Sequence, residues 1–256
     1  MREVRLQRIH EAVIEHGAVQ VPRLATEFHV SEETVRRDLD RLGELGLVVR
    51  TRGGAVAPGT SRTERDLRSR AQEHRAEKRA IARAVVEQLV SDGISVALDT
   101  GTTTLEIARL LRLRPVTVVT NSLQAINELA GSSATLIVLG GTFRSASMSV
   151  VGAMTERNAR QLHCDLALIS APAMTAEHGP MDTDLESIEI KREFVRHARR
   201  SYAVIDHTKL GRTAFATICD STQLAGLVTG DGAAAADLAA FRELGLDIIM
   251  GTRTDA

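Results

Sequence analysis

From residue 94 onward the chain alternates short, almost wholly apolar runs with amphipathic ones: ISVALD, TLEIARLLR, VTVVTNS, LQAINELA, TLIVLGG, MTERNARQL, LALIS, ESIEIKREFVRHA, YAVID and LAGLVTG. Strands that read as near-continuous apolar segments are buried on both faces, and amphipathic helices between them supply the cover. The alternation predicts a mainly parallel sheet with helices on both sides, in which a ligand normally lies beyond the carboxyl ends of the strands. With 43% hydrophobic but only 2% aromatic residues and no Trp, its core must rest on Ala, Val, Leu and Ile. An alanine-rich helix over Ala233 to Ala240 and a last strand, LDIIM, are expected to complete it. The 256 residues exceed one small module and fit two domains of unequal size.

The segment before this alternation has a different period. Leu6, Ile9, Ala12 and Val13 share one side of a helix over Val4 to Gly17, with Gly17 as its C-cap. AVQV reads as a short strand, and Pro22 suits the first turn of a helix PRLATEF. After the turn HV, Ser31 is expected to cap the helix SEETVRRDLDRL, its hydroxyl accepting from a backbone N–H while Glu32 and Glu33 complement the dipole. At about 100° per residue, Val35, Leu39 and Leu42 form a narrow apolar stripe. Arg37 lies almost opposite, with Glu33, Asp40 and Arg41 beside it and Arg36 at one flank. LVVRTRGGAVAPG then reads as a two-stranded wing turning at Gly53 and Gly54. The polar, arginine-rich stretch from Thr60 to Lys78 reads as a linker. The expected organisation is residues 1–58, a linker over 59–78, and an α/β domain over 79–256.

A net charge of -1 argues against a protein that coats nucleic acid or membrane through bulk electrostatics, so any DNA binding must be local. Arg36, Arg37 and Arg41, with Ser31 and Thr34 at the helix start, would supply donors to base edges, and Arg50 and Arg52 beside Gly53 and Gly54 would reach the adjoining backbone. The competing reading is a solvated helix whose arginines pair with Glu32, Glu33, Asp38 and Asp40. In LDTGTTTLEIARLL, Asp99 ends a strand and Gly101, Thr102, Thr103 and Thr104 open a helix, an arrangement suited to phosphate. It equally suits a simple N-cap. Thr120 and Asn121, Gly140 and Gly141, and Asp206 with Lys209 end other strands and would line the same crevice if those strands are parallel neighbours. An enzyme reading recruits Asp99, Glu186, Asp206 and Lys209 for isomerisation of a sugar phosphate, but no close carboxylate pair can be read from spacing. Cys164 and Cys219 stand singly and are expected to be buried thiols in a reducing cytoplasm. No signal peptide and no apolar run near about 18 residues is present, so no membrane segment is expected. His163, His178, His197 and His207 show no ligand spacing, and no metal, cofactor or catalytic residue is expected. Lys191 and Arg192 are expected on a solvated helix face.

The run Arg5, Ile9, Val13, Ser31, Thr34, Val35, Arg36, Arg37, Asp38 and Leu39, followed by Gly53, Gly54 and Ala55, resembles the helix-turn-helix signature of the DeoR family of bacterial transcription regulators. DTGTTT, TNSL, LGG and DHTKLGR resemble the family's effector-domain motifs, so the likeness runs to about Asp231. The resemblance implies a winged helix-turn-helix followed by a Rossmann-like α/β effector domain related to ribose-5-phosphate isomerase. It implies a repressor of a carbohydrate operon that binds double-stranded operator DNA and is released by a phosphorylated sugar or polyol. The phosphate is expected near Gly101 to Thr104 with Lys209 close by, in a homo-oligomer, dimer or tetramer. The chain departs from the family pattern at Arg52, usually His, and over Ser170 to Ala173, usually a glycine-bearing stretch. It departs also at Ser187, usually Glu, and at Gly230, which interrupts a Thr-Asp pair. The departures in the second domain bear on the sugar end of the expected pocket more than on its phosphate end.

Overall fold

A computed structural model describes residues 2–16, 18–45, 47–51, 53–56 and 67–252. Gly17, Arg52 and the first part of the expected linker, residues 59–66, lie outside the described residues. The chain divides into two units, Met1–Asp66 and Leu67–Ala256.

In the first unit, helices Arg2–His16, Val21–Phe28 and Glu32–Glu44 surround a core of Ile9, Val13, Leu24, Val35, Leu39, Leu42 and Val48. The second and third helices meet through a tight turn in which His29 takes the left-handed conformation, φ 52°, and Ser31 caps the third by accepting from the Thr34 N–H at 3.2 Å. Strand Gly54–Val56 lies between Ala18–Gln20 and Val49–Thr51, antiparallel to both, so the wing has three strands. The approach to Ala18–Gln20 dictates Gly54, because a Cβ there would overlap the Val19 carbonyl, whereas one on Gly53 would meet open space.

The second unit is built on seven parallel strands in the order Asp247–Gly251, Gly226–Gly230, Ala198–Val204, Cys164–Ile169, Ser95–Leu98, Thr117–Thr120, Thr135–Val138. Alternation along each strand splits the core into two layers. Val96, Leu98, Val118, Leu166, Leu168 and Val204 pack with Ile81, Val85, Ile107, Leu111 and Leu129 of helices Arg75–Leu89, Thr102–Leu111 and Leu123–Leu129. Ala97, Val119 and Ala167 face the other way, toward Ala159, Ile190 and Phe194 of helices Ala153–Arg160 and Leu185–Arg196. Ala203, Ile169 and Leu227 do likewise toward Leu238 and Phe241 of helix Ala235–Glu243. The strand sequence reverses between Ser95–Leu98 and Cys164–Ile169, which is the topological switch point.

Two features depart from expectation. Residues 67–78 form helix Leu67–Gln72 and the start of helix Arg75–Leu89. They are ordered because the buried Lys78 ammonium donates to the Glu73 carbonyl at 2.6 Å and to that of Arg70. The sheet also carries two antiparallel additions, the hairpin Thr142–Arg144 with Ser149–Val151, and the strands Ala173–Thr175, Gly179–Asp182 and Ala216–Thr217. These strands have at most four residues, too short to show alternation. Both cysteines are buried, and burial raises their thiols to about 11 for Cys164 and about 12 for Cys219. Among the described residues no helix is long and apolar enough to cross a membrane.

The contact at Gly54 makes a direct prediction. Gly54→Ala is expected to destabilise the first unit by about 2 kcal/mol or more, while Gly53→Ala changes it by less than about 0.5 kcal/mol. Chemical denaturation of the full chain, followed by circular dichroism, distinguishes the two; equal effects would discount the close approach.

Candidate functional sites

The third helix of the first unit presents its arginines outward, as the wheel predicts. Arg37 is 75% exposed and pairs with Glu33 at 3.3 Å. Arg36 pairs with Glu32 at 2.7 Å and Arg41 with Glu44 at 2.9 Å, both on the surface. Asp38, read from the sequence as a surface partner for these arginines, is instead buried and accepts from Arg5 Nε at 2.6 Å, pinning the first helix to the third. Arg50 is also drawn inward, donating to Asp40 Oδ1 at 2.7 Å and to the Gly54 carbonyl, so it braces the wing against the helix. Ser31 and Thr34 sit at the exposed helix start with their hydroxyls 2.9 Å apart. Arg52 lies outside the described residues.

In the second unit every sequence-read site residue falls at the carboxyl edge of the parallel sheet, but strand order spreads them out. Asp99 and the Gly101–Thr104 loop end Ser95–Leu98, and Thr120 and Asn121 end its neighbour. Gly140 and Gly141 follow the edge strand Thr135–Val138, while Asp206 and Lys209 follow Ala198–Val204, four positions along the order. At roughly 4.8 Å per strand, these last two groups lie on the order of 19 Å apart along the edge. A small sugar phosphate does not span them. Thr120 is committed internally, donating to the Leu98 carbonyl at 2.6 Å, and the Gly140 carbonyl accepts from Thr155 at 3.0 Å.

The strongest electrostatic feature lies at the switch point and centres on a residue the sequence reading put in solvent. Lys191 is only 5% exposed at its side chain. Its Nζ contacts Asp182 Oδ2 at 2.6 Å and Asp99 Oδ2 at 3.4 Å, and donates to the Ser170 carbonyl at 2.9 Å. Ser170 in turn donates its N–H to Asp99 Oδ2 at 3.1 Å, so that Lys191, Ser170 and Asp99 close a ring that Asp182 joins through Lys191. The expectation of a solvated face fails because Lys191 lies on the inward side of helix Leu185–Arg196 among Ile188, Ile190 and Phe194. Burial raises Asp99 to about 6, against the opposing pull of Lys191 and two backbone N–H groups. Burial likewise disfavours the charged forms of Lys191 and Asp182, but Asp99 and then Asp182 outweigh it at the lysine, which is raised, and Lys191 outweighs it at Asp182, which is lowered. At neutral pH the ring therefore holds two carboxylates against one ammonium.

The loop before helix Thr102–Leu111 is packed against this ring. A Cβ on Gly101 would stand 2.8 Å from the Ser170 Cβ, so the close approach requires glycine there. Thr104 Oγ1 caps onto the Gly101 carbonyl at 2.9 Å, while Thr103 Oγ1 is buried without a hydrogen-bond partner. Thr100 links the loop to Asn121 at 3.4 Å. Ser187, in place of the family's Glu, donates to Asp184 at 2.9 Å, and Asp182 supplies the carboxylate beside Lys191. Farther along the edge, Lys209 pairs with buried Asp206 at 3.0 Å. Burial acts to raise Asp206, but Lys209, Thr208 and Lys78 together hold it below its ordinary value.

Two family models match separate parts of the chain. Residues 5–61 match the DeoR-like helix-turn-helix domain, and residues 73–231 match the DeoR C terminal sensor domain. The HTH-type transcriptional regulator IolR of Bacillus subtilis is 31% identical over 90% of this chain and 91% of its own. The glycerol-3-phosphate regulon repressor of Haemophilus influenzae is 30% identical over 90% of both chains. Ribose 5-phosphate isomerase A of Methanocaldococcus jannaschii aligns with 56% of each chain at a TM-score of 0.41 and 16% identity. The family matches and the relatives named as transcriptional regulators do not favour the isomerase alternative, and the chain belongs to the DeoR family, with a DeoR-like helix-turn-helix domain and a DeoR C-terminal sensor domain.

Proposed function

We propose that this protein is a DNA-binding repressor of a carbohydrate-related operon, released by a phosphorylated sugar or polyol. The observation that carries the reading is the pairing, in one chain, of an outward arginine helix with a charged, buried ring at a sheet switch point. The helix Glu32–Glu44 would enter a major groove with Arg36, Arg37 and Arg41 toward base edges and phosphates, and with Ser31, Thr34 and the Gly53–Gly54 wing against the backbone. Arg50 would act mainly by holding the wing. A homo-oligomer, dimer or tetramer, would offer two such helices to a two-fold operator. The reduced, buried thiols Cys164 and Cys219 suit the cytoplasm.

For the effector, the Gly101–Thr104 loop would receive phosphate at the start of helix Thr102–Leu111, where the first N–H groups have no intrahelical acceptor. Asp99, an ionised carboxylate kept buried at a cost to stability, would accept hydroxyls of the sugar or polyol, with Lys191 holding that carboxylate in place. Asn121 would border the same site. Asp206 and Lys209 lie on the other side of strand Cys164–Ile169 and would meet the ligand's far end, whereas Gly140 and Gly141, on the edge strand, would lie beyond the reach of a ligand held there. The segment that enters the sensor grips this region, since Glu77 Oε1 accepts from the His207 N–H at 2.8 Å and Lys78 faces Asp206 and Lys209. A ligand that binds the DNA-incompetent arrangement better weakens operator affinity by its coupling free energy, and about 1–3 kcal/mol gives roughly 5–150-fold.

Fluorescence anisotropy of the full-length protein on DNA from its own upstream region and on a scrambled duplex, repeated with a panel of sugar phosphates, tests the reading. Selective binding that one phosphosugar weakens is expected; no preference between the duplexes, with turnover of a phosphosugar, would return the isomerase alternative. Arg37→Ala is expected to weaken operator binding at least about tenfold, the low end of a lost bidentate base contact, with an unchanged melting curve. Unchanged affinity would move DNA reading to another surface. Thr102→Val and Lys209→Ala should keep operator affinity and blunt induction; normal ligand sensitivity in Thr102→Val would remove the phosphate site, and in Lys209→Ala the contact at the ligand's far end.

The ring adds a pH-dependent prediction. Because folding raises Asp99 from 3.8 to about 6, the folded state binds the proton more tightly than the unfolded chain. Stability is then fully present below the unfolded pKa and is lost as pH rises through about 6. Asp99→Asn removes that loss, so at neutral pH it should be more stable than wild type while abolishing the response to effector. The gain should vanish below about pH 4. A variant less stable than wild type at neutral pH would show that the charge holds the fold instead of serving a ligand.

A further inference from the structure

Two histidines and one carboxylate meet on the side of the sensor unit where the chain enters it. Helix Arg75–Leu89 begins just after His74, whose ring makes no capping hydrogen bond, and Glu77 follows one turn later on the same side. The loop after strand Ala198–Val204 brings His207 to them. His207 Nδ1 lies 2.8 Å from Glu77 Oε2, and His74 Nδ1 lies 4.0 Å from the same oxygen. The two rings stand edge to face with centroids 5.4 Å apart. Glu77 is buried, at 5% exposure, while His74 at 45% and His207 at 32% open the cluster to solvent on one side.

We propose that His74, Glu77 and His207 form a binding site for a divalent transition-metal ion of the Zn²⁺ class. The donor set of two imidazoles and one carboxylate suits Zn²⁺, Co²⁺ or Ni²⁺, whereas Ca²⁺ and Mg²⁺ require mostly oxygen ligands. Three protein ligands with one position left for water is an ordinary zinc arrangement. Bonds of about 2.0–2.2 Å in a tetrahedron place neighbouring ligand atoms about 3.3–3.6 Å apart, between the 2.8 and 4.0 Å of the two histidine–Glu77 contacts, and the three ligand atoms lie within 4.8 Å of one another. The change required is an outward slide of the His207 ring and an inward swing of exposed His74, with loss of the proton shared between His207 and Glu77. The room for these groups depends on two glycines. A Cβ on Gly230, the residue that interrupts the family's Thr-Asp pair, would collide with the Glu77 side chain, and one on Gly232 would stand 2.8 Å from His207 Nδ1.

A hydrogen-bonded His207–Glu77 pair without a metal is the competing account, and metal titration separates the two. Full-length protein stripped with chelator is titrated with Co²⁺ followed by its visible ligand-field absorption, and with Zn²⁺ by competition. Wild type is expected to bind one ion per chain with the spectrum of a four-coordinate nitrogen and oxygen site. His74→Ala, a change at an exposed side chain, and His207→Ala should each weaken binding at least about tenfold, since even outer-shell partners contribute that much. His163→Ala should leave binding unchanged, although His163 also stacks on a histidine, His197. Folded wild type that binds neither ion, or a His74→Ala variant with wild-type affinity, would overturn the proposal. Neither readout depends on DNA or on a phosphosugar.

Discussion

A single buried ammonium organises the sensor unit. Lys191 joins the end of strand Ser95–Leu98 through Asp99, the end of Cys164–Ile169 through the Ser170 carbonyl, and the inserted strand Gly179–Asp182 through Asp182. Moving such charges out of water is costly, and only close geometry with every remaining donor and acceptor satisfied offsets it. That requirement fixes the depth of helix Leu185–Arg196, the approach of Gly101 to Ser170, and hence the position of the threonine loop. The parallel sheet places the strand ends, and the ion ring decides how tightly they close around the switch point.

The first unit uses the same device on a smaller scale. The Arg5–Asp38 contact crosses its core from the first helix to the third, so the arginines at the neighbouring positions 36 and 37 are left facing outward. Asp40 and Arg50 then join that helix to the wing. In both units an internal ion pair sets the presentation of polar groups that remain available.

How much was legible in the sequence follows the range of the interaction. The Ser31 cap, the Val35–Leu39–Leu42 stripe and the strand alternation are local, and the structure has them where the pattern puts them. The wing's third strand and the antiparallel insertions are too short for periodicity to register. Lys191 illustrates a deeper limit, because a charged residue in a helix with Glu189, Arg192 and Glu193 reads as solvated until its partners are known. Those partners, Asp99 and Asp182, come from other strands. The Glu77–His207 contact spans 130 residues and carries no spacing signature at all. The clustering of candidate residues at strand ends was readable, but their order across the sheet, which separates Gly140 from Lys209, was not.

Helix Glu32–Glu44 carries five acidic side chains beside its three arginines, and each arginine already has a glutamate partner on its own helix. On the proposed reading, in which this helix meets DNA, its electrostatic attraction to arbitrary duplex would be correspondingly small, for those arginines would exchange a carboxylate for a phosphate before they release any counterions. Sequence-independent binding rests on such release. A reading head neutralised in this way would spend little time on the vast excess of wrong sites in a chromosome. Its search would be governed by brief encounters, with lasting residence reserved for a duplex whose base edges compensate the broken ion pairs.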